Sequence, residues 1–133
     1  MKLKYDTNQT FVDITDDIQI PKGDEFRFAH IMVKHTTAAV RVMENDTALK
    51  SDMERFLREF APIDSYYAHD IIQLRDVPPD ERKNGFSHLR FLLFNTSELI
   101  PIENGKLSLG KWQRVFLVEL DPFREREVEV RFI

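Results

Sequence analysis

The chain has 133 residues, 42% hydrophobic and 32% charged, with a formal net charge of −4 and no cysteine. That size makes one compact domain able to bury its own core, and the acidic balance argues against a module that binds nucleic acid by neutralising phosphates. The missing cysteines exclude disulfides, thiolate metal sites and thiol nucleophiles, and no 18-residue apolar window or apolar leader is present, so a cytoplasmic protein that makes no use of a membrane is the simplest expectation.

The first stretch, Lys2 to Thr15, reads as short strand pieces broken near Asn8. Pro21-Lys22-Gly23 marks a turn. From Phe26 to His35 the alternation predicts a strand, with Ala29, Ile31, Val33 and His35 on one face. Phe26, Phe28, His30 and Met32 share the other face, so His30 reads as structural and is expected away from His35. Ala39 to Met43 is a further strand. Leu49, Met53, Phe56, Leu57 and Phe60 form one apolar stripe of a helix from Thr47 to Phe60. Asp46 is its expected N-cap, and Pro62 lies just past its end.

Pro62 to Gly85 reads as a long loop, a length usually tied to function. It carries Arg75, Arg82 and Lys83, a local cationic excess. Ser87 to Phe94 is ambiguous between helix and strand, and Leu89, Leu92 and Leu93 favour helix. Leu99–Ile102 and Lys106–Leu109 flank Glu103-Asn104-Gly105, read as a three-residue hairpin loop. Val115 to Leu120 is a buried-strand run, and Val128, Val130 and Phe132 alternate inward from Glu127 to Ile133. Two helices and about eight strands in mixed order predict an α+β fold, predominantly β and antiparallel, as one domain over residues 1–133.

Three segments could carry chemistry. His35-Thr36-Thr37 places an imidazole beside two hydroxyls, a set suited to phosphate hydrogen bonding or metal ligation, or simply to capping a strand end. In Tyr67-Ala68-His69-Asp70 the aspartate could orient the histidine. Asn84 to Arg90 gathers Ser87, His88 and Arg90 at an expected helix start, an arrangement for an anion or for a plain helix cap. Glu44 could serve as a carboxylate base or as a surface cap. No P-loop, GxGxxG, GxSxG or HExxH pattern occurs.

Several blocks read in order carry a resemblance. They are Val33-Lys34-His35-Thr36-Thr37-Ala38-Ala39-Val40-Arg41-Val42-Met43-Glu44-Asn45, Tyr67-Ala68-His69, Asn84-Gly85-Phe86-Ser87-His88-Leu89, Ser97 to Ile102, Gly105 to Gln113, and Val115 to Asp121 with the Arg124–Val128 segment. Together they resemble the YjbQ family, the secondary thiamine-phosphate synthase-like proteins. In this chain Phe86 stands where many relatives have His, Lys111 where they have Thr, and Pro122-Phe123 where they have Gly-Pro.

The resemblance implies a jelly-roll-like antiparallel β-sandwich with two helices, assembled as a homotrimer. It implies a pocket in which His35, His69 and His88 converge on a divalent metal, Zn or Mg, or on a phosphate, with a small phosphorylated molecule as partner. Joining a pyrimidine diphosphate to thiazole phosphate requires stabilisation of the departing diphosphate and alignment of two rings. Arg90, Lys106 and the hydroxyls of Thr36, Thr37 and Ser87 could supply the first, and Trp112 or Tyr67 a stacking face. Two other readings fit the same residues: a binding protein without catalysis for a small phosphorylated metabolite, and a metal-dependent hydrolase.

Overall fold

The computed structural model describes residues 1–133. Its strands are β1 (Lys2–Thr7), β2 (Phe11–Asp13), β3 (Phe28–Val33), β4 (Ala38–Glu44), β5 (Ser97–Glu103), β6 (Lys106–Leu107), β7 (Gln113–Glu119) and β8 (Arg124–Phe132); its helices are α1 (Thr47–Phe60) and α2 (Gly85–Phe91). They build a five-stranded sheet in the order β1-β8-β3-β5-β6 and a three-stranded sheet in the order β2-β7-β4. The named strand pairs are all antiparallel. The fold is α+β and predominantly β, as the element order predicts.

Side-chain parity decides the layers. Ile31 and Val33 from β3, Val128 and Val130 from β8, and Val115 and Leu117 from β7 meet between the two sheets. Phe116 and Val118 point to the opposite face of β7, where Leu57 and Met53 of α1 and Phe91 of α2 cover them. Because β7 is buried on both faces from Val115 to Val118, that run is continuously apolar instead of alternating. The outer face of the five-stranded sheet has no covering layer and leaves Phe28 and Leu99 exposed.

Several boundaries move. The first long strand is shorter than its alternation suggested, ending at Val33 with His35 beyond it. Asp46 caps α1, its Oδ2 accepting the Leu49 N–H at 2.7 Å. The apolar stripe of α1 is only partly buried: Leu57 is covered, whereas Phe56 and Phe60 stay 55% and 45% exposed, their rings stacked with centroids 6.2 Å apart. Helix α2 starts at Gly85, earlier than its leucine spacing suggests. The long loop is not structureless, for it holds 3-10 turns at Ala68–Asp70 and Ile72–Leu74.

The hairpin between β5 and β6 also differs, since Glu103 pairs with Lys106 and only Asn104 and Gly105 remain in the turn. Both have positive φ, 53° and 71°, the two-residue geometry that an Asn-Gly pair favours. Strand β8 begins at Arg124, three residues before the expected start, which brings Arg126 onto the same inward face as Val128 and Val130.

Candidate functional site

The chain crosses from the small sheet to the large one at Leu120–Phe123, between β7 and β8. Asp121, only 7% exposed, organises this corner. Its carboxylate accepts from Asn84 Nδ2 at 2.8 Å and pairs with Arg82 and Arg124, each at 3.0 Å. Ser87 is fully buried and donates to the Leu120 carbonyl at 2.5 Å. These side chains fasten α2 to the corner, which a seven-residue helix requires because so short a helix is not stable alone.

The long loop is tied to the same helix. Asp70 Oδ1 accepts the Gly85 N–H at 2.9 Å, and Gly85 lies so close to Tyr67 that a Cβ there would meet the tyrosine Cβ at 2.5 Å. The result is that the His69 and His88 rings face each other with centroids 4.4 Å apart and planes inclined by 49°. Arg75 donates to the His69 carbonyl at 3.2 Å. Burial, reinforced by the neighbouring His69 and by Arg75, holds the His88 imidazole below its usual pKa, so it favours the neutral form.

Three buried polar atoms around Asp70 and Asp121 have no partner: His69 Nδ1, Asn84 Oδ1 and Arg124 Nε. His69 Nδ1 lies 3.8 Å from Asp70 Oδ1, too far for a hydrogen bond. Buried polar groups are normally satisfied, so each of these atoms can take a further polar partner, water included.

His35 lies at the same end of the sandwich, just before the Thr37–Leu120 backbone bond that joins β4 to the corner. The Arg124 charge acts on both His35 and His88. His35 Nε2, however, accepts the Glu127 backbone N–H at 3.3 Å. A ring whose Nε2 is an acceptor carries its proton on Nδ1 when neutral, so His35 offers a donor. Burial first, then Arg126, keeps it below its usual pKa. His35 lines a small cleft of about 270 Å³ with Met32, Lys34, Glu127 and Glu129.

The other expected residues divide. Thr37 is buried, its hydroxyl accepting from Arg126 at 2.9 Å, and Thr36 is exposed beside it. Ser87 is a fastener of α2. Arg90 lies two positions from His88 on α2 and turns to the other side, donating to the Ala61 carbonyl at 3.0 Å with its guanidinium 4.8 Å from the Phe86 ring. Glu44, Lys106 and Trp112 are not brought to the histidines within one chain. Glu44 pairs with Gln113 at the end of β4 opposite the Ala38–Glu119 pair, about 20 Å away at the rise of an extended strand. Trp112 precedes Gln113 at that same far end and is exposed. Lys106 lines a cleft of about 510 Å³ with Ile20, Leu109 and Lys111. His30 sits on the outer face of the large sheet between Leu99 and Arg131, away from the pair, as its parity requires.

Sequence reasoning passed over Arg126, Glu119 and Asp121. Glu119 and Arg126 form a buried ion pair at 2.7 Å that also holds Thr7 and Thr37. Parity was an available signal, because Arg126 is in step with Val128 and Val130.

For a metal, the chain offers the His69–His88 pair, including the unpartnered Nδ1 of His69. Imidazole nitrogens suit Zn²⁺, whereas Mg²⁺ prefers oxygen ligands. No group of three or more His, Asp or Glu lies within ligating reach of one ion, and His35 Nε2 is already engaged. The pair therefore fits a zinc-type ion as two ligands only.

Over residues 1–133 the chain matches the family described as UPF0047 protein YjbQ-like. A UPF0047 protein of Methanothermobacter thermautotrophicus is 36% identical over 101 residues, covering 76% of this chain and 64% of the relative. One from Archaeoglobus fulgidus is 30% identical across 98% of this chain and 97% of its own length. Among solved structures, an uncharacterised conserved protein of the YjbQ/UPF0047 family from Clostridium acetobutylicum superposes with a TM-score of 0.83 at 30% identity, covering 100% of this chain and 99% of that one.

Proposed function

This chain belongs to the YjbQ-like UPF0047 family, and from that premise we propose that its histidine pair binds a small phosphorylated molecule and acts as a secondary thiamine-phosphate synthase. The observation that carries the reading is the facing His69–His88 pair, with the buried Nδ1 of His69 unpartnered. Arg75, Arg82 and Arg124 outnumber Asp70 and Asp121 there, so an anion is the complementary guest.

In the joining reaction the thiazole nitrogen lone pair forms a C–N bond to the activated methylene of the pyrimidine diphosphate. The C–O bond breaks, and its electron pair leaves with the diphosphate. No proton is removed in this step, so the work of the site is positioning and charge stabilisation. Arg75 and Arg124 hold the departing oxygens, and His88, favouring its neutral form, donates from one ring nitrogen. A divalent ion held by His69 and His88 would add further positive charge at those oxygens.

The homotrimer belongs to the same reading. The single chain exposes 8588 Å², more than the roughly 7,300 Å² expected for its mass, and its exposed surface includes Phe28, Leu99 and Trp112. Light scattering reads three chain masses of 15.8 kDa each if the assembly forms.

Two assays test the function. Purified protein mixed with the pyrimidine diphosphate and thiazole phosphate releases diphosphate and forms thiamine phosphate, and the His69→Ala and His88→Ala variants lose it. Elemental analysis of the purified wild type and His69→Ala reads the metal independently of turnover. Binding of the phosphorylated substrates without product identifies the non-catalytic binder, which the fixed pairing of Arg82 and Arg124 to Asp121 favours as a second reading. Phosphoester cleavage without joining identifies a hydrolase.

A further inference from the structure

Two residues other than glycine have positive φ. Asn104, at 53°, sits in the hairpin turn that asks for it; Phe123, at 63°, has no such excuse. A bulky side chain is disfavoured in the left-handed region, and this one is also 80% exposed, so it gains nothing from burial. The conformation is imposed from both sides by Thr7. The Phe123 N–H donates to the Thr7 carbonyl at 2.8 Å, and the Thr7 hydroxyl, with one proton to give, lies in hydrogen-bond reach of both the Arg124 carbonyl, at 2.9 Å, and buried Glu119. Strain held in place by its surroundings in this way gathers at functional sites.

What the strain achieves is the placement of a ring. Phe123 forms one wall of a cleft of about 300 Å³ with Asp6, Thr7, Asn8, Arg124 and Glu125. The very next side chain, Arg124, runs back to Asp121 and puts its charge on His88, with its Nε buried and unpartnered. An exposed aromatic face and the proposed phosphate-binding wall are thus one residue apart. The carboxylates of Asp6 and Glu125 give the ring's cleft an acidic rim, opposite in sign to the arginine side.

Resting on the phosphate-binding reading above, we propose that Phe123 is a specificity-determining residue that stacks on the flat ring of a phosphorylated heterocycle. The phosphate of that ligand lies against Arg124 and the histidine pair. The ring that fits best carries positive charge or N–H donors, because the aromatic face and the two carboxylates both favour it. A ring-free phosphate ester engages the arginine side alone.

Isothermal titration of the full chain with thiamine monophosphate, whose rings are cationic and amino-bearing, and with ring-free glycerol phosphate reads the two halves separately. Wild type takes the ring-bearing probe more tightly. Phe123→Gly, which accepts positive φ freely and therefore folds, loses about tenfold of that preference and keeps its affinity for glycerol phosphate; Phe123→Tyr retains the preference. Equal affinity of wild type for both probes, or an undiminished preference in Phe123→Gly, overturns the role of Phe123 and leaves phosphate binding standing. Uptake of neither probe overturns the phosphate reading, and this one with it. A smaller assembly for Phe123→Gly by light scattering assigns the ring to contact between copies and overturns the proposal.

Discussion

The backbone of Gly85 runs against the side chain of Tyr67 with no room for a Cβ between them, the nearest tyrosine atom lying 2.5 Å from where one would stand. This contact closes the loop bearing His69 onto the helix bearing His88, and the Asp70–Gly85 hydrogen bond completes the closure.

Gly85→Ala therefore forces the loop away from α2. We expect a loss of roughly 1–3 kcal/mol of stability, as for other overpacked sites, together with loss of phosphate binding. Urea denaturation measures the first. Imidazole NMR signals that no longer report mutual contact of His69 and His88 would register the second cause directly.

Arg126 and Glu119 are almost wholly shielded from solvent. Arg126→Met leaves the glutamate charge buried without its cation and should cost about 3–5 kcal/mol. Adding Glu119→Gln removes that charge and restores part of the loss. A double variant no more stable than Arg126→Met in chemical denaturation would show that packing, and not the stranded charge, sets the cost.

His35 and His88 are both held below the usual 6.5, chiefly by burial. As pH falls through 6.5 the unfolded chain takes up protons that the folded chain still refuses. More protons on the unfolded state means stability decreases toward acid. The melting temperature should hold above pH 7 and decline below about 6.5, and a His35→Asn/His88→Asn double variant should flatten that decline.

Arg75 sits on a loop, and its side chain makes one hydrogen bond, to the His69 carbonyl. Arg75→Ala should weaken pyrophosphate binding about tenfold, the effect of losing one charge-assisted hydrogen bond of about 1.5 kcal/mol, while leaving the melting temperature nearly unchanged. A lowered melting temperature with unaltered affinity would make Arg75 a clasp for the loop only.

Parity made much of the sheet legible. Ala29, Ile31 and Val33, and again Val128 and Val130, are buried as their alternation indicates. The same rule overlooked Arg126, because a charged residue interrupts the apolar pattern that marks where a strand begins. Helix periodicity found α1 but not the exposure of Phe56 and Phe60, which depends on how far a neighbouring layer extends. In the candidate site, the residue types at positions 35, 69 and 88 were legible, and their placement was not. His69 meets His88 through a glycine contact and an aspartate bond that no spacing rule encodes, while a backbone amide of β8 occupies one nitrogen of His35.

The position of β8 between β1 and β3 constrains how the chain reaches this structure. Lys2 pairs with Glu129, and His30 pairs with Arg131, so this interior strand of the large sheet follows both of its neighbours along the chain. During synthesis β1 and β3 have no partner between them until β8 emerges. Sheet closure is then a late, long-range event, the kind of topology that folds slowly and leaves strand edges open meanwhile. Deletion of Arg124–Phe132 should strand both neighbours and favour aggregation over a smaller folded product.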